Sequence, residues 1–450
     1  MKKVTVKRID EKRFNAYVGL SRSPYVKRFA QEIDWFANED ESILGVILFD
    51  YSDKDYNSII LGKDEVGKYR AFDLLTSVAS FEAALEWLTN TINWNTGLGK
   101  KVFPQGNPTK TCNLFNPVVS VENMHPYFMA LDRDPLFSPA KELIIQLMPH
   151  FVDIDGNFVE QFQTTGFDSR LWELYLFEYF AEEGLTIGRN QRAPDFIISD
   201  GNDEAAIEAV TVGRKEKVET YIKFGRRKDK VDVENMNKNE MPLLFGSSLY
   251  SKMKKRYWEM ANVVGKAFVL AIADFHEDQS MLWSFTALIR YLYGYEHKYH
   301  YKNGKLIIEP AKIGFDKNGI KIEAFFDSKD SENVSAVMFS ASGTLSKFNR
   351  IGKQCGFGRK NLLMIRYGTY HNHDKNASKP LLFRYVVDET CQESWAEGIS
   401  IYHNPKAKIR LEPGLFPNAA HHFLENGQIR SILPDFYPYG SVTTNIMVKD

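Results

Sequence analysis

The sequence predicts a mixed α/β protein built around one helix, strand and hairpin unit, with an α+β region before it and a β-rich region after it. Three observations carry this. Between Asp168 and Gly184 the apolar residues Leu171, Leu174, Tyr175 and Phe177 cover most of a helical circumference, the pattern of a well-buried helix. Asp200-Gly201-Asn202-Asp203 separates two apolar runs, and Gly and Asn tolerate the positive φ that tight hairpins need. Phe268 to Ala273 (FVLAIA) is a near-continuous apolar run, suited to a central strand covered on both faces.

Composition sets the bounds. A chain of 450 residues with 44% hydrophobic content can fill two or three domain cores. A net charge of -1 gives no hint of nucleic acid by itself, so local clustering matters more. Cys112, Cys355 and Cys391 are widely separated and form no CxxC, which indicates neither a disulfide framework nor a cysteine zinc site. Ala267 to Asp274 is far shorter than the ~20 residues of a membrane span, and no signal peptide is legible, so a cytoplasmic protein is expected.

Taken in order, residues 1–105 read as an α+β domain. A helical pattern from Pro24 to Phe36 precedes strand-like runs at Leu44 to Tyr51, Tyr56 to Leu61 and Tyr69 to Leu75. Ser80 then caps a helix that begins FEAALEW. Helix, three strands, helix is the order of double-stranded-RNA-binding domains, but Phe81-Glu82 stands where a phosphate clamp wants lysines, and a structural or partner-binding domain is the plainer reading. Residues 106–165 read as a linker and helical connection. Gly97 to Glu122 is rich in Gly, Pro, Asn and Lys, Ser138 to Met148 is helical with Pro139 in its first turn, and Asp153 to Thr165 is a polar turn. The core is expected over 166–345 and a C-terminal region of unassigned role over 346–450.

Within the core, Asp168 or Ser169 should cap the helix that carries Glu173, and Gly184 should end it. With Gly201 and Asn202 central in the turn, Ser199 pairs with Glu204, Ile197 with Ala206, and Asp195 with Glu208. The last pair puts two carboxylates about 5 Å apart on one sheet face, where they repel unless a cation lies between them. A turn longer by one residue would place them on opposite faces. For Glu173 the alternative to a metal-site role is an ion pair with Arg170 or Arg189.

Basic residues follow closely. Gly213 to Lys230 holds Lys215 and Lys217, and a helix expected from Ser248 to Ala261 carries Leu249, Met253, Tyr257 and Met260 as its apolar stripe. That stripe leaves Lys252, Lys255 and Arg256 on or beside the exposed flank, as a polyanion-binding face or as a solvated one. Val334 to Ser340 reads as a further buried strand. Histidines gather late, at His371, His373, His403, His421 and His422, with no third ligand at a recognisable metal spacing beside His371 and His373. Ile351-Gly352-Lys353-Gln354 lacks the upstream glycine and the Ser or Thr of a phosphate loop.

Helix with Glu173, short strand, strand opened by Pro194-Asp195, strand with Glu208, basic helix and apolar strand give the order αβββαβ. This resembles the core of the PD-(D/E)xK, or restriction-endonuclease-like, superfamily of metal-dependent nucleases, over roughly Asp168 to Asp274 and outside the N-terminal hundred residues. It also looks like the nuclease-like proteins that bacteria encode for restriction and phage defence. The resemblance implies Mg²⁺ or Mn²⁺ held by Asp195 and Glu208, with Glu173 on a second ion or a metal-bound water. It implies DNA more than RNA as substrate, contacts from Lys215, Lys217, Lys255 and Arg256, and a homodimer or a defence-complex partner. One departure stands out: the family lysine belongs two residues after the second acid, where this chain has Val210. Lys252 is the preferred replacement, since in RecB-like exonucleases the helix after the third strand contributes a Gln and a Tyr to the site. The alternative is a catalytically inactive nuclease-like protein that binds nucleic acid or assembles with a partner.

Overall fold

The computed structural model describes residues 6–106, 112–189, 191–214, 232–317 and 320–449. Lys215 and Lys217 lie outside the described residues.

The chain begins with β1 (Lys7–Arg8), α1 (Glu11–Val18), β2 (Ala30–Ala37), β3 (Ile43–Asp50), β4 (Tyr56–Lys63), β5 (Tyr69–Val78) and α2 (Phe81–Gly97). The strands form one five-stranded antiparallel sheet in sequence order. Ser80 caps α2 by accepting the Ala83 N–H at 3.2 Å, as expected. Pro24 to Phe36 is not helical. It holds a short 3-10 turn at Val26–Arg28 and then β2, in which the side chains from Ala30 to Asp34 alternate in exposure. That period of two outweighs the helix-like spacing, because β2 joins the sheet edge of β3. The helix of this region is instead α1, which Asp10 caps through the Lys12 N–H. The helix, three strands, helix order therefore does not occur.

The connection holds α3 (Pro126–Arg133), α4 (Ser138–Leu147) and α5 (Phe158–Gln163). Phe103 and Leu114 lie in the stretch expected to be a linker, yet each is buried, at 2% and 1% exposure. The stretch is thus tied to the cores on both sides. The polar turn at Asp153 is real, with its carboxylate accepting the N–H groups of Gly156 and Phe158, but α5 takes over from Phe158.

Next come α6 (Phe167–Glu182), β6 (Thr186–Gly188), β7 (Phe196–Ser199), β8 (Glu204–Val212), α7 (Val233–Asn235), α8 (Met241–Met253), β9 (Ala267–Asp274) and α9 (Met281–Tyr293). The hairpins β10 (Tyr295–Lys302) with β11 (Lys305–Lys312) and β12 (Phe315–Lys317) with β13 (Ile320–Ile322) follow. The chain ends with β14 (Ala336–Ser340), α10 (Leu345–Gln354), β15 (Leu362–Tyr370), β16 (Leu381–Val386), β17 (Ile399–His403), β18 (Ala420–Glu425), β19 (Gln428–Ile432) and β20 (Pro438–Met447).

An eight-stranded mixed sheet organises this half, in the order β19-β18-β17-β14-β9-β8-β7-β6. From the β6 edge the first two pairings are antiparallel and the next two, β8 with β9 and β9 with β14, are parallel. Phe196, Ile198, Ile207, Val269 and Ala271 share one buried cluster with Trp172 and Tyr175 of α6. Ala206, Val210, Leu270 and Ile272 share another with Phe245 and Leu249 of α8 and Leu288 of α9. Helices therefore cover the sheet on both sides, and β9 is buried along its whole length, as its apolar run requires. The boundary expected at 345 falls inside this sheet, because β17, β18 and β19 complete it.

Gly184, at φ +75°, ends α6 as expected. Its start differs: Gly166 is the N-cap and carries no side-chain cap. Asp168 and Ser169 sit inside the first turn and bond sideways, Asp168 to Arg214 at 3.1 Å and Ser169 Oγ to Thr211 Oγ1 at 2.8 Å. No described helix is long and apolar enough to cross a membrane.

Candidate functional site

The hairpin register is the one the turn predicts. Ser199 faces Glu204, Ile197 faces Ala206, and the ladder closes with Phe196 opposite Ile207. Asp195 lies one residue beyond the last rung, and its Oδ2 accepts the Ala209 N–H at 2.8 Å. The side chain thus takes over where main-chain pairing stops. Glu208 is one residue beyond Ile207 in β8, on the face shared by Ala206 and Val210.

Glu208 is buried, with 4% exposure, and two groups hold its Oε1: the Lys252 ammonium at 2.6 Å and the Tyr257 hydroxyl at 2.5 Å. Lys252 is in the last turn of α8. The helix expected from Ser248 to Ala261 instead runs from Met241 to Met253, started by Pro242 in its first turn. Arg256 then takes a left-handed conformation, φ 51°, and Tyr257 opens a 3-10 turn. Termination of the helix brings both side chains to one carboxylate although they are five apart in sequence. The Tyr257 hydroxyl is held protonated by burial and by the Glu208 charge, so it donates to that oxygen.

Asp195 is half-buried. Its carboxyl is pushed up to about 8, first by burial, then by Glu173 and Glu208, against the pull of the Ala209 N–H and Lys252. An acid in that setting keeps a proton at neutral pH unless a cation replaces it. Among the described residues no partner engages Asp195 Oδ1 or Glu208 Oε2. Two carboxylates with free oxygens suit a hard divalent cation such as Mg²⁺, which uses one or two carboxylates and keeps several waters.

Glu173 is a correction. Its Oε1 meets Arg170 Nη1 at 2.6 Å and its Oε2 meets Arg189 Nη2 at 3.4 Å. Both oxygens are therefore occupied by guanidinium groups, and the ion-pair alternative describes this residue. Arg189 is fixed in turn between the rings of Phe151 and Phe196, at 4.0 and 4.6 Å. Among the described residues no group of three or more His, Cys, Asp or Glu side chains is arranged to hold a metal ion.

The basic residues divide. Lys252, placed by sequence on or beside an exposed flank, turns inward to Glu208. Lys255 is exposed, with its ammonium 5.8 Å from the Tyr257 ring centre. Arg256 is exposed but paired with Glu259 at 2.6 Å and Asp330 at 3.6 Å, which offsets the charge it could offer a phosphate. His371 and His373 stand 4.7 Å apart by ring centre and bond to the Tyr439 hydroxyl and the Asp435 carbonyl. The Ala209 N–H and the double clamp on Glu208 have no sequence signal, because both depend on where a strand and a helix stop.

No protein-family model matches this chain, and neither a curated protein nor a solved structure matches it.

Proposed function

We propose that this chain is a metal-dependent phosphodiester hydrolase with a restriction-endonuclease-like αβββαβ core, acting on DNA more than RNA. The observation that carries this reading is the 2.6 Å contact of Lys252 Nζ with Glu208 Oε1 beside Asp195. A lysine is present next to the two acids although the motif position holds Val210, which is 2% exposed and packed in the α8-side core. The order α6, β6, β7, β8, α8, β9 and the antiparallel, antiparallel, parallel pairing of β6 to β9 support the same reading.

In this reading Asp195 and Glu208 hold Mg²⁺ or Mn²⁺, which would lower the pKa of a bound water and screen charge growing on the phosphate. Tyr257 donates to Glu208 and fixes that carboxylate. Lys252 presents a positive point charge where the reacting phosphate gains negative charge. Arg170 and Arg189 neutralise Glu173, which limits the repulsion Asp195 must bear. The exposed Lys255 supplies a backbone contact.

A second reading, a binding protein without catalysis, is favoured by one feature: Glu208 already has a cationic partner and Glu173 has two. Incubation of supercoiled and linear DNA with the protein and Mg²⁺ or Mn²⁺ separates the two. Cleavage by the native chain, lost in Asp195→Ala, Glu208→Ala and Lys252→Ala, is the expected result. Cleavage that persists in all three variants sinks the site, and DNA retention without cleavage under either metal gives the second reading.

A further inference from the structure

We propose that the cavity between the N-terminal sheet unit and α6 binds a nucleotide-sized ligand that joins a cationic or N–H donor head to a phosphate. The cavity has a volume of about 640 Å³, within the range of small-molecule and cofactor sites. It is separate from the acid centre, since its lining includes neither Asp195 nor Glu208.

Its charges are divided between two walls. Glu178 and Glu182, one turn apart on α6, line one side, while Lys27 and Lys68 come from the N-terminal unit. Opposite charges that line one cavity would ordinarily pair. Here, among the described residues, no ion pair joins them. Glu178 and the ammonium groups of Lys27 and Lys68 have no hydrogen-bonded or ion-paired partner there, and Glu182 accepts only the Ala396 N–H at 2.9 Å. Unpaired charge facing a partly enclosed space is costly, and a ligand that touches both walls removes that cost.

The remaining lining narrows the class. Tyr17 and Trp395 bring aromatic rings, and Gln354 brings an amide. Burial and the neighbouring Glu182 push the Glu178 carboxyl up to about 8, so the two acids hold a proton between them near neutral pH. An N–H donor or an amine takes that proton's place. A purine nucleotide meets each demand: donors on the base edge for the acids, a flat ring for the aromatics, and a phosphate for the lysines. A simple polyamine satisfies only the acid wall, and inorganic phosphate only the lysine wall. The assignment does not depend on the acid centre being catalytic.

The test is calorimetric titration of the full chain with GMP, AMP, inorganic phosphate and spermidine. At least one nucleotide should bind, and phosphate and spermidine should each bind at least tenfold more weakly. Glu178→Gln and Lys68→Ala should each weaken nucleotide binding at least tenfold. Lys27→Ala, at an exposed position where folding is not at stake, should weaken it as well. Asp195→Ala should leave nucleotide affinity unchanged, which separates this site from the acid centre. The proposal is overturned if neither nucleotide binds at millimolar concentration, if spermidine or phosphate binds as tightly as the nucleotide, or if binding ignores Glu178 and both lysines. Loss of nucleotide binding in Asp195→Ala overturns it too, by placing the nucleotide in the acid centre.

Discussion

Lys252 Nζ lies 2.6 Å from Glu208 Oε1, delivered by the last turn of α8 and not by β8. Two residues along β8, Val210 points into the α8-side core, so a lysine there would have to be buried among apolar side chains. The charge reaches the acids from the covering helix instead. Lys252→Met, which keeps the aliphatic stem, should lower the rate of DNA cleavage by roughly 10²–10³-fold, the usual effect of losing one charge-stabilising group. Unfolding in denaturant should change little by comparison, since the Lys252 side chain is 25% exposed. A variant that cleaves at the native rate would remove Lys252 from the chemistry.

Asp195 makes metal binding pH-dependent. Its carboxyl, pushed up to about 8 by burial and then by Glu173 and Glu208, binds a proton more tightly in the folded chain than in the unfolded one. The sign follows: that proton stabilises the fold at low pH, and the contribution is lost as pH rises from about 4 to about 8. A divalent cation competes with the same proton. The thermal shift produced by Mg²⁺ should therefore grow between pH 6 and pH 9, and Asp195→Asn should abolish it. A shift of the same size in Asp195→Asn would move the metal elsewhere.

Glu173 supports the site without binding the cation. Its oxygens are taken by Arg170 and Arg189, so Glu173→Gln leaves two buried guanidinium groups short of a partner. Destabilisation of about 1–3 kcal/mol is expected. The Mg²⁺-dependent shift should survive in that variant, and its disappearance would restore Glu173 as a ligand.

The parts of this architecture governed by local chemistry were legible in the sequence. The Gly201-Asn202 turn set the register, the apolar run Phe268 to Ala273 set the buried strand, and Gly184 set the end of α6. The acids followed from that register, and Lys252 from its place on the next helix. Errors arose where tertiary pairing decides between two local patterns. Pro24 to Phe36 carries both periodicities, and only the neighbouring β3 makes it a strand. The extent of the large sheet was illegible because β17, β18 and β19 join it from far along the chain, with short strands that look alike in any context. Glu173 was ambiguous for a different reason: an acid beside arginines in sequence reads equally as ligand or ion pair until the distances are known.

The late histidines, unplaced by sequence, give a stability prediction. His403, His421 and His422 are buried together: His403 Nε2 and His421 Nδ1 are 2.9 Å apart, and His422 Nδ1 is 2.8 Å from Ser431 Oγ. The rings of Tyr402 and Tyr437 flank His422. Burial pushes His403 and His422 down to about 3, and the neighbouring histidines push the same way. An exposed histidine takes up a proton near pH 6.5, so between about 6.5 and 3 the unfolded chain binds more protons here than the folded one. Stability should fall as pH drops through that window, by roughly 1.4 kcal/mol per pH unit for each fully linked ring. Raised carboxyls such as Glu183, at about 7, work in the opposite direction, so the histidine contribution is isolated by substitution. His422→Gln, which can keep the bond to Ser431, should flatten the acid side of the stability profile and move the acid-unfolding midpoint to lower pH. An unchanged midpoint would show that His422 is protonated in the folded state as readily as in the unfolded one.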